Sequence, residues 1–155
     1  MKMQLIKFKC AKCGSQFKAP DLSFYSYGEF LLRSIGNADE VYLNAMEDRV
    51  YQEVNALLKV NPRVSERKPN ALAEVLRKAF GMIACDPDYA GQPFQIGAFP
   101  KCTSCGAQEM DCWEATEPAE FVERNLPLAT HVAWAALSDA DKEERADSVL
   151  AQLGY

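Results

Sequence analysis

Cys10-Ala-Lys-Cys13-Gly14 and Cys102-Thr-Ser-Cys105-Gly106 are near-copies of one pattern, and they use four of the chain's six cysteines. Two intervening residues let one tight turn aim both sulfurs at a common point. The glycine after each second cysteine permits φ > 0, so that nearby N–H groups can turn toward the thiolates. Each pair is then half of a tetrahedral metal site. Cys10, Cys13, Cys102 and Cys105 together supply four thiolates, which closes the coordination sphere of Zn²⁺ and leaves no position for a substrate. The expected site is therefore structural zinc. Gly14 to Lys101 lies between the two halves, so the fold is expected to be a pair of knuckles interrupted by a long insertion.

Three other chemistries use the same cysteines. Disulfides need an oxidising compartment, but Met-Lys-Met-Gln-Leu-Ile-Lys-Phe-Lys at residues 1–9 has no apolar run of signal-peptide length. No stretch approaches the roughly 18 apolar residues of a membrane span. A cytoplasmic chain with reduced thiols is the expectation. A thioredoxin-like redox pair needs a βαβ setting and one pair rather than two. Iron is the third rival, because rubredoxins also use two C-x2-C-G knuckles; Ser15 and Thr103 stand where those knuckles carry aromatic and proline residues. Cys85 follows Met82-Ile83-Ala84 and Cys112 precedes Trp113, surroundings that predict buried, inert thiols for both.

Charge is unevenly placed along the chain. The total is −5, which disfavours a nucleic-acid backbone as the main partner. Residues 1–20 carry Lys2, Lys7, Lys9, Lys12 and Lys18 and no acid. Four thiolates on one Zn²⁺ form a dianion, and Lys9, Lys12 and Lys101 flank the ligands closely enough to offset it. The C-terminal third is acidic. Asp111, Glu114, Glu117, Glu120, Glu123, Asp139, Asp141, Glu143, Glu144 and Asp147 outnumber Arg124, Lys142 and Arg145.

Patterning fills in the rest. Residues 3–20 alternate as a hairpin through the first knuckle, with Ile6, Phe8 and Cys10 on one face and Phe17 on the return strand. Residues 22–85 read as a helical insertion. It opens with an aromatic segment (Phe24, Tyr25, Tyr27 and Phe30-Leu31-Leu32) that ends at Gly36. A helix capped by Asn37 with Glu40 follows, carrying Leu43, Met46, Val50, Val54 and Leu57 to Asn61-Pro62 as the longest in the chain. Pro69 opens a further helix with Leu72, Val75, Leu76, Ala79 and Phe80 on its inner stripe and Gly81 as its C-terminal glycine. The polar loop over residues 63–68 is expected to be solvated. Residues 94–116 form the second half of the ribbon, with Phe94 and Ile96 leading in and residues 110–116 leading out. An acidic segment over residues 117–155 follows. Its first helix would be capped by Thr130 and its last by Ser138 with Asp141.

Catalytic groups are sparse. His131, the single histidine, lacks an H-E-x-x-H companion and reads as structural, and no phosphate loop is present. A non-enzymatic chain is expected.

Ala98 to Gly106, Trp113-Glu114-Ala115 and Trp134-Ala-Ala-Leu-Ser-Asp-Ala-Asp-Lys-Glu resemble small bacterial zinc-ribbon proteins. The resemblance covers both knuckles and about the last third of the chain, and it matches Cys10, Cys13, Cys102 and Cys105 to the ribbon ligands. The expected fold class is α+β: a zinc-ribbon or rubredoxin-like knuckle pair with a long helical insertion and C-terminal helices, one domain over residues 1–155 with ribbon halves at 1–21 and 94–116. The leading expectation for function is a protein-interaction module, in particular an immunity protein that covers a basic bacterial toxin. The alternative is a nucleic-acid-binding or transcription-associated ribbon using Lys7, Lys9, Lys12 and Lys18.

Overall fold

The computed structural model describes residues 1–22 and 27–155 and shows a mixed α+β chain with two small antiparallel sheets. The first sheet is built on β1 (Lys2–Cys10), which pairs with β2 (Gln16–Asp21) on one side and with β6 (Met110–Ala115) and β7 (Phe121–Glu123) on the other. The second places β3 (Glu29–Ser34) between β4 (Glu40–Asn44) and β5 (Phe94–Ile96). Four helices complete the described residues: α1 (Arg49–Val60), α2 (Pro69–Ala84), α3 (Val132–Ala135) and α4 (Asp139–Gln152).

The expected hairpin is present. Ile6, Phe8 and Cys10 are buried in alternation, and Phe8 lies opposite Phe17 with the rings stacked. Lys7 faces Lys18 across the pair, a like-charge contact that costs stability unless each finds an acid. Both do: Lys7 pairs with Glu114 at 3.2 Å and Lys18 with Glu120 at 2.7 Å. The acids of β6 and of the segment leading to β7 thus hold the edges of the first sheet.

The insertion begins with strands, which corrects the all-helical expectation for residues 22–85. Phe30-Leu31-Leu32 lies in β3, while Phe24 and Tyr25 fall outside the described residues. A short apolar run fits a strand buried on both faces as well as it fits a helix, and β3 is such a strand. Leu32 packs in the helical core, while Arg33 on the opposite side reaches the first sheet. The stripe from Leu43 to Leu57 is likewise divided. Leu43 belongs to β4, Met46 is exposed in a turn, and α1 starts only at Arg49. The turn forms because Asn44 O accepts from the N–H groups of Glu47 and Asp48, and Asp48 then caps α1 by accepting from the Tyr51 N–H at 2.9 Å. Asn37 and Glu40 cap nothing. Asn37 bonds to Asp88, and Glu40 sits in β4 paired with Arg33.

At 16 residues α2 is longer than the 12 of α1. Pro69 opens it and the expected stripe is buried, but the helix runs through Gly81 to Ala84. Gly81 serves close approach instead, since a Cβ there would lie 1.9 Å from the Phe94 carbonyl oxygen of β5. That contact draws β5 into the second sheet, where Leu32 pairs with Ile96, rather than into the first sheet, the expected place of residues 94–116 as a ribbon half. The 63–68 loop is anchored as well as solvated: Val64 is buried and Arg63 donates to Asp147 at 2.7 Å.

The C-terminal helices fill the second core. Trp134 is buried in α3, and its indole N–H donates to Glu53, which also binds Lys142. Thr130 does not cap α3. Asp86 does so from across the chain, accepting from Val132 N, Ala133 N and the Thr130 hydroxyl. Ser138 caps α4 as expected, accepting from the Asp141 N–H.

Two side chains join the sheets, Arg33 buried and Gln108 half-buried. Arg33 donates to Pro20 O at 2.8 Å, to Ala98 O at 2.9 Å and to Glu40 at 3.2 Å. Gln108 donates to both Ser34 O and Phe99 O. The second knuckle is thereby fixed against β3 on one side and, through β6, against the first knuckle on the other.

Candidate metal centre

Both knuckles have the same backbone. Gly14 N–H donates to Cys10 O at 3.0 Å and Gly106 N–H to Cys102 O at 2.9 Å, with φ of 74° and 77° at the two glycines. Each turn is closed from behind, by Cys10 N–H to Ser15 O and by Cys102 N–H to Ala107 O. Within each loop one N–H points at the first sulfur: Cys13 N to Cys10 Sγ at 3.5 Å and Ser104 N to Cys102 Sγ at 3.4 Å. A side chain at either glycine would be strained, which explains the repeated C-x2-C-G.

β1 and β6 bring the knuckles together. Cys10 lies opposite Met110 and Lys9 opposite Cys112, so Asp111 is an extra residue and the strand bulges beside the site. Ala11 N–H then donates to Glu109 O, and Cys10, Cys102 and Met110 share a small apolar core with Ile6 and Phe8. All four sulfurs lie within 4.8 Å of one another, with Cys13 to Cys102 at 3.5 Å and Cys10 to Cys105 at 3.6 Å. A tetrahedron with metal–sulfur arms of about 2.3 Å has edges of about 3.8 Å, which this cluster brackets. The four cysteines named from the sequence therefore form a cluster able to hold a metal ion.

Without a cation, the four sulfurs share protons unequally. The Ser15 hydroxyl and N–H donate to Cys13 and bring its thiol down to about 6. Cys102 is also lowered, chiefly by the Cys105 N–H. At Cys105 the Ala107 N–H favours the thiolate, but desolvation and the neighbouring sulfurs outweigh it and hold the thiol up at about 11. Four like-charged sulfurs this close need either protons or a metal between them, and a divalent ion replaces the protons.

The remaining thiols divide. Cys85 is buried as expected, and desolvation, aided by Asp48 and Asp86, pushes it up to about 12. Cys112 is exposed, contrary to expectation. The bulge at Asp111 is the cause: it puts Met110 inward and turns Cys112 to the outer face with Lys9.

His131 is held on both nitrogens. Nδ1 lies 2.8 Å from Ala84 O and Nε2 2.8 Å from Asp48 Oδ2, with the ring edge-on to Phe80. Cys85, His131 and Asp48 are the residue types of a nucleophile, base and orienting acid. Here neither ring nitrogen is left to serve the thiol. The arrangement ties the C-terminus of α2 to the start of α1, a role visible only once α3 is placed.

Surface charge departs from the sequence reading in one respect. Lys7 and Lys18 are engaged by acids, so among the four lysines of the nucleic-acid alternative only Lys9 and Lys12 lack an ion pair among the described residues. The acids divide in the same way. Glu114, Glu120, Glu123 and Asp147 are paired, whereas Asp139, Asp141, Glu143 and Glu144 of α4 are exposed with no ion pair among the described residues. Among the described residues no helix is long and apolar enough to cross a membrane. The chain matches no family model, no curated protein and no solved structure.

Proposed function

We propose that Cys10, Cys13, Cys102 and Cys105 hold one structural Zn²⁺ in a zinc-ribbon arrangement, and that the chain is a non-enzymatic cytoplasmic module binding a basic protein. Four sulfurs at near-tetrahedral spacing support zinc, because all four positions are filled by protein and none remains for substrate. The observation that carries the partner reading is the first half of α4. Its four carboxylates, which make no ion pair among the described residues, outnumber Lys142 and Arg145 on the same helix and leave a net negative face, and opposite charge speeds encounter and sharpens partner choice. A basic bacterial toxin, neutralised by a bound immunity protein, is the narrower form of this reading.

The test is co-expression of the chain with a basic polypeptide encoded beside it. The complex should purify together and cells should be protected. Asp139→Asn, Asp141→Asn, Glu143→Gln and Glu144→Gln combined should slow association and flatten its salt dependence. An unchanged on-rate rejects α4 as the contact face. Tight binding to RNA at physiological salt, lost on replacing Lys9 and Lys12, would favour the nucleic-acid reading in its place.

A further inference from the structure

The sulfur cluster is held from two sides by contacts that involve no cation. β1 pairs Cys10 with Met110, Ala11 donates to Glu109, and Cys10 and Cys102 share one apolar core, so the knuckles stay opposed through the chain itself. The close sulfur contacts run between knuckles, Cys13 to Cys102 and Cys10 to Cys105. Each joins a buried cysteine to an exposed one: Cys10 and Cys102 are 1% and 3% exposed, while Cys13 and Cys105 are exposed residues. A soluble oxidant can therefore reach one member of each pair, and the resolving sulfur lies beside it.

We propose that this cluster is a modification site for peroxides, in which Cys13 and Cys105 react first and the cross-knuckle disulfides Cys13–Cys102 and Cys10–Cys105 take the place of the metal. In the first step the Cys13 sulfur attacks the peroxide. An S–O bond forms, the O–O bond breaks, hydroxide departs, and the peroxide takes two electrons to leave a sulfenic acid. In the second, the Cys102 thiolate attacks that sulfur. An S–S bond forms, the S–O bond breaks and a second hydroxide departs, so one peroxide is consumed per disulfide and both hydroxides are protonated by solvent. Cys13 and Cys102 are then no longer available as ligands, so a zinc held by the four cysteines would be released. A second peroxide does the same at Cys105 and Cys10. The product still ties the first knuckle to the second across the whole insertion, as the metal does, so the fold outlasts the loss of the ion. Cys85 is buried and spared.

Trypsin, followed by fragmentation of the linked peptides between Cys102 and Cys105, reads the pairing. Cleavage after Lys9, Lys12, Lys18, Lys101 and Arg124 places Cys10 in peptide 10–12, Cys13 in 13–18, and both Cys102 and Cys105 in 102–124. Zinc-loaded Cys112→Ser protein, which removes the exposed thiol outside the cluster, is treated with hydrogen peroxide in the presence of a chromogenic zinc chelator. Zinc should be released with the loss of about two thiols per peroxide. The unreduced digest should show peptides 10–12 and 13–18 both attached to 102–124. The oxidised protein should keep a cooperative melting transition, and thiol reductant with zinc should restore the starting state. Cys112→Ala should behave alike. Attachment of 10–12 to 13–18 would overturn the proposal, as would sulfinic or sulfonic acid at Cys13 and Cys105 without disulfides, knuckle thiols that survive the peroxide, or loss of the melting transition on oxidation.

Discussion

Two single residues carry disproportionate structural weight, and both act through hydrogen bonds that no periodicity reveals. Arg33 is 6% exposed and joins the sheets through two carbonyls and Glu40. Arg33→Ala leaves the Pro20 and Ala98 carbonyls without their donor and Glu40 with Arg124 alone, and should cost about 2–4 kcal/mol in urea unfolding. Arg33→Lys should recover little of it, because one ammonium cannot span three acceptors aligned for a guanidinium fork. A loss within about 0.5 kcal/mol, as for an ordinary surface residue, would deny Arg33 this role. Asp88 organises the turn before β5. Burial raises its carboxyl, but the Ser34 hydroxyl, the Asn37 amide and the N–H groups of Gln92 and Ala90 outweigh that and hold it at about 2, below the ordinary 3.8. A carboxyl lowered on folding stabilises fully above its unfolded value, and the contribution is lost as pH falls through the folded one. Asp88→Asn should therefore flatten the fall in unfolding free energy between about pH 4 and pH 2 relative to the parent. Parallel acid limbs for the two proteins would contradict the assignment.

Elements were legible where periodicity and punctuation agreed. The β1–β2 hairpin, the opening of α2 at Pro69 and the Ser138 cap of α4 could all be read from local pattern. β3 was not, because a short apolar run has no period and its strand character comes from β4, β5 and the layers above and below. α1 was begun too early since Leu43, Met46 and Val50 keep helical spacing across a turn; Asn44 and Asp48 were the overlooked signals. Gly81 is the sharpest case, because glycine at a helix end and glycine at a close crossing look alike in sequence. On propensity alone Gly81→Ala would stabilise α2 by about 1 kcal/mol. With Phe94 O only 1.9 Å from the added Cβ, the account expects the reverse sign, a lower melting temperature and loosened exchange protection in β5. A stabilised Gly81→Ala variant would show that α2 and β5 are not in close contact.

For the whole molecule, the two knuckles were readable because metal ligation demands residue types at fixed spacing regardless of what lies between. The settings of Cys112 and His131 were not, since they come from a bulge and from a helix far along the chain. Cys13 and Cys102 are 89 positions apart, so a metal joining them removes the freedom of a long loop and links folding to metal binding. Cys105 is exposed, and as an ordinary surface residue its replacement by serine would change stability by no more than about 0.5 kcal/mol. As a ligand, its loss should lower the melting temperature by more than Cys85→Ser does, although the latter buries a hydroxyl at a cost of about 1–3 kcal/mol. The most direct test of the central claim is elemental analysis of the purified, reduced protein combined with X-ray absorption at the metal edge. The account predicts about one zinc per chain surrounded by four sulfurs at about 2.3 Å. Folded protein free of metal, or an ion bound through nitrogen or oxygen, would contradict it.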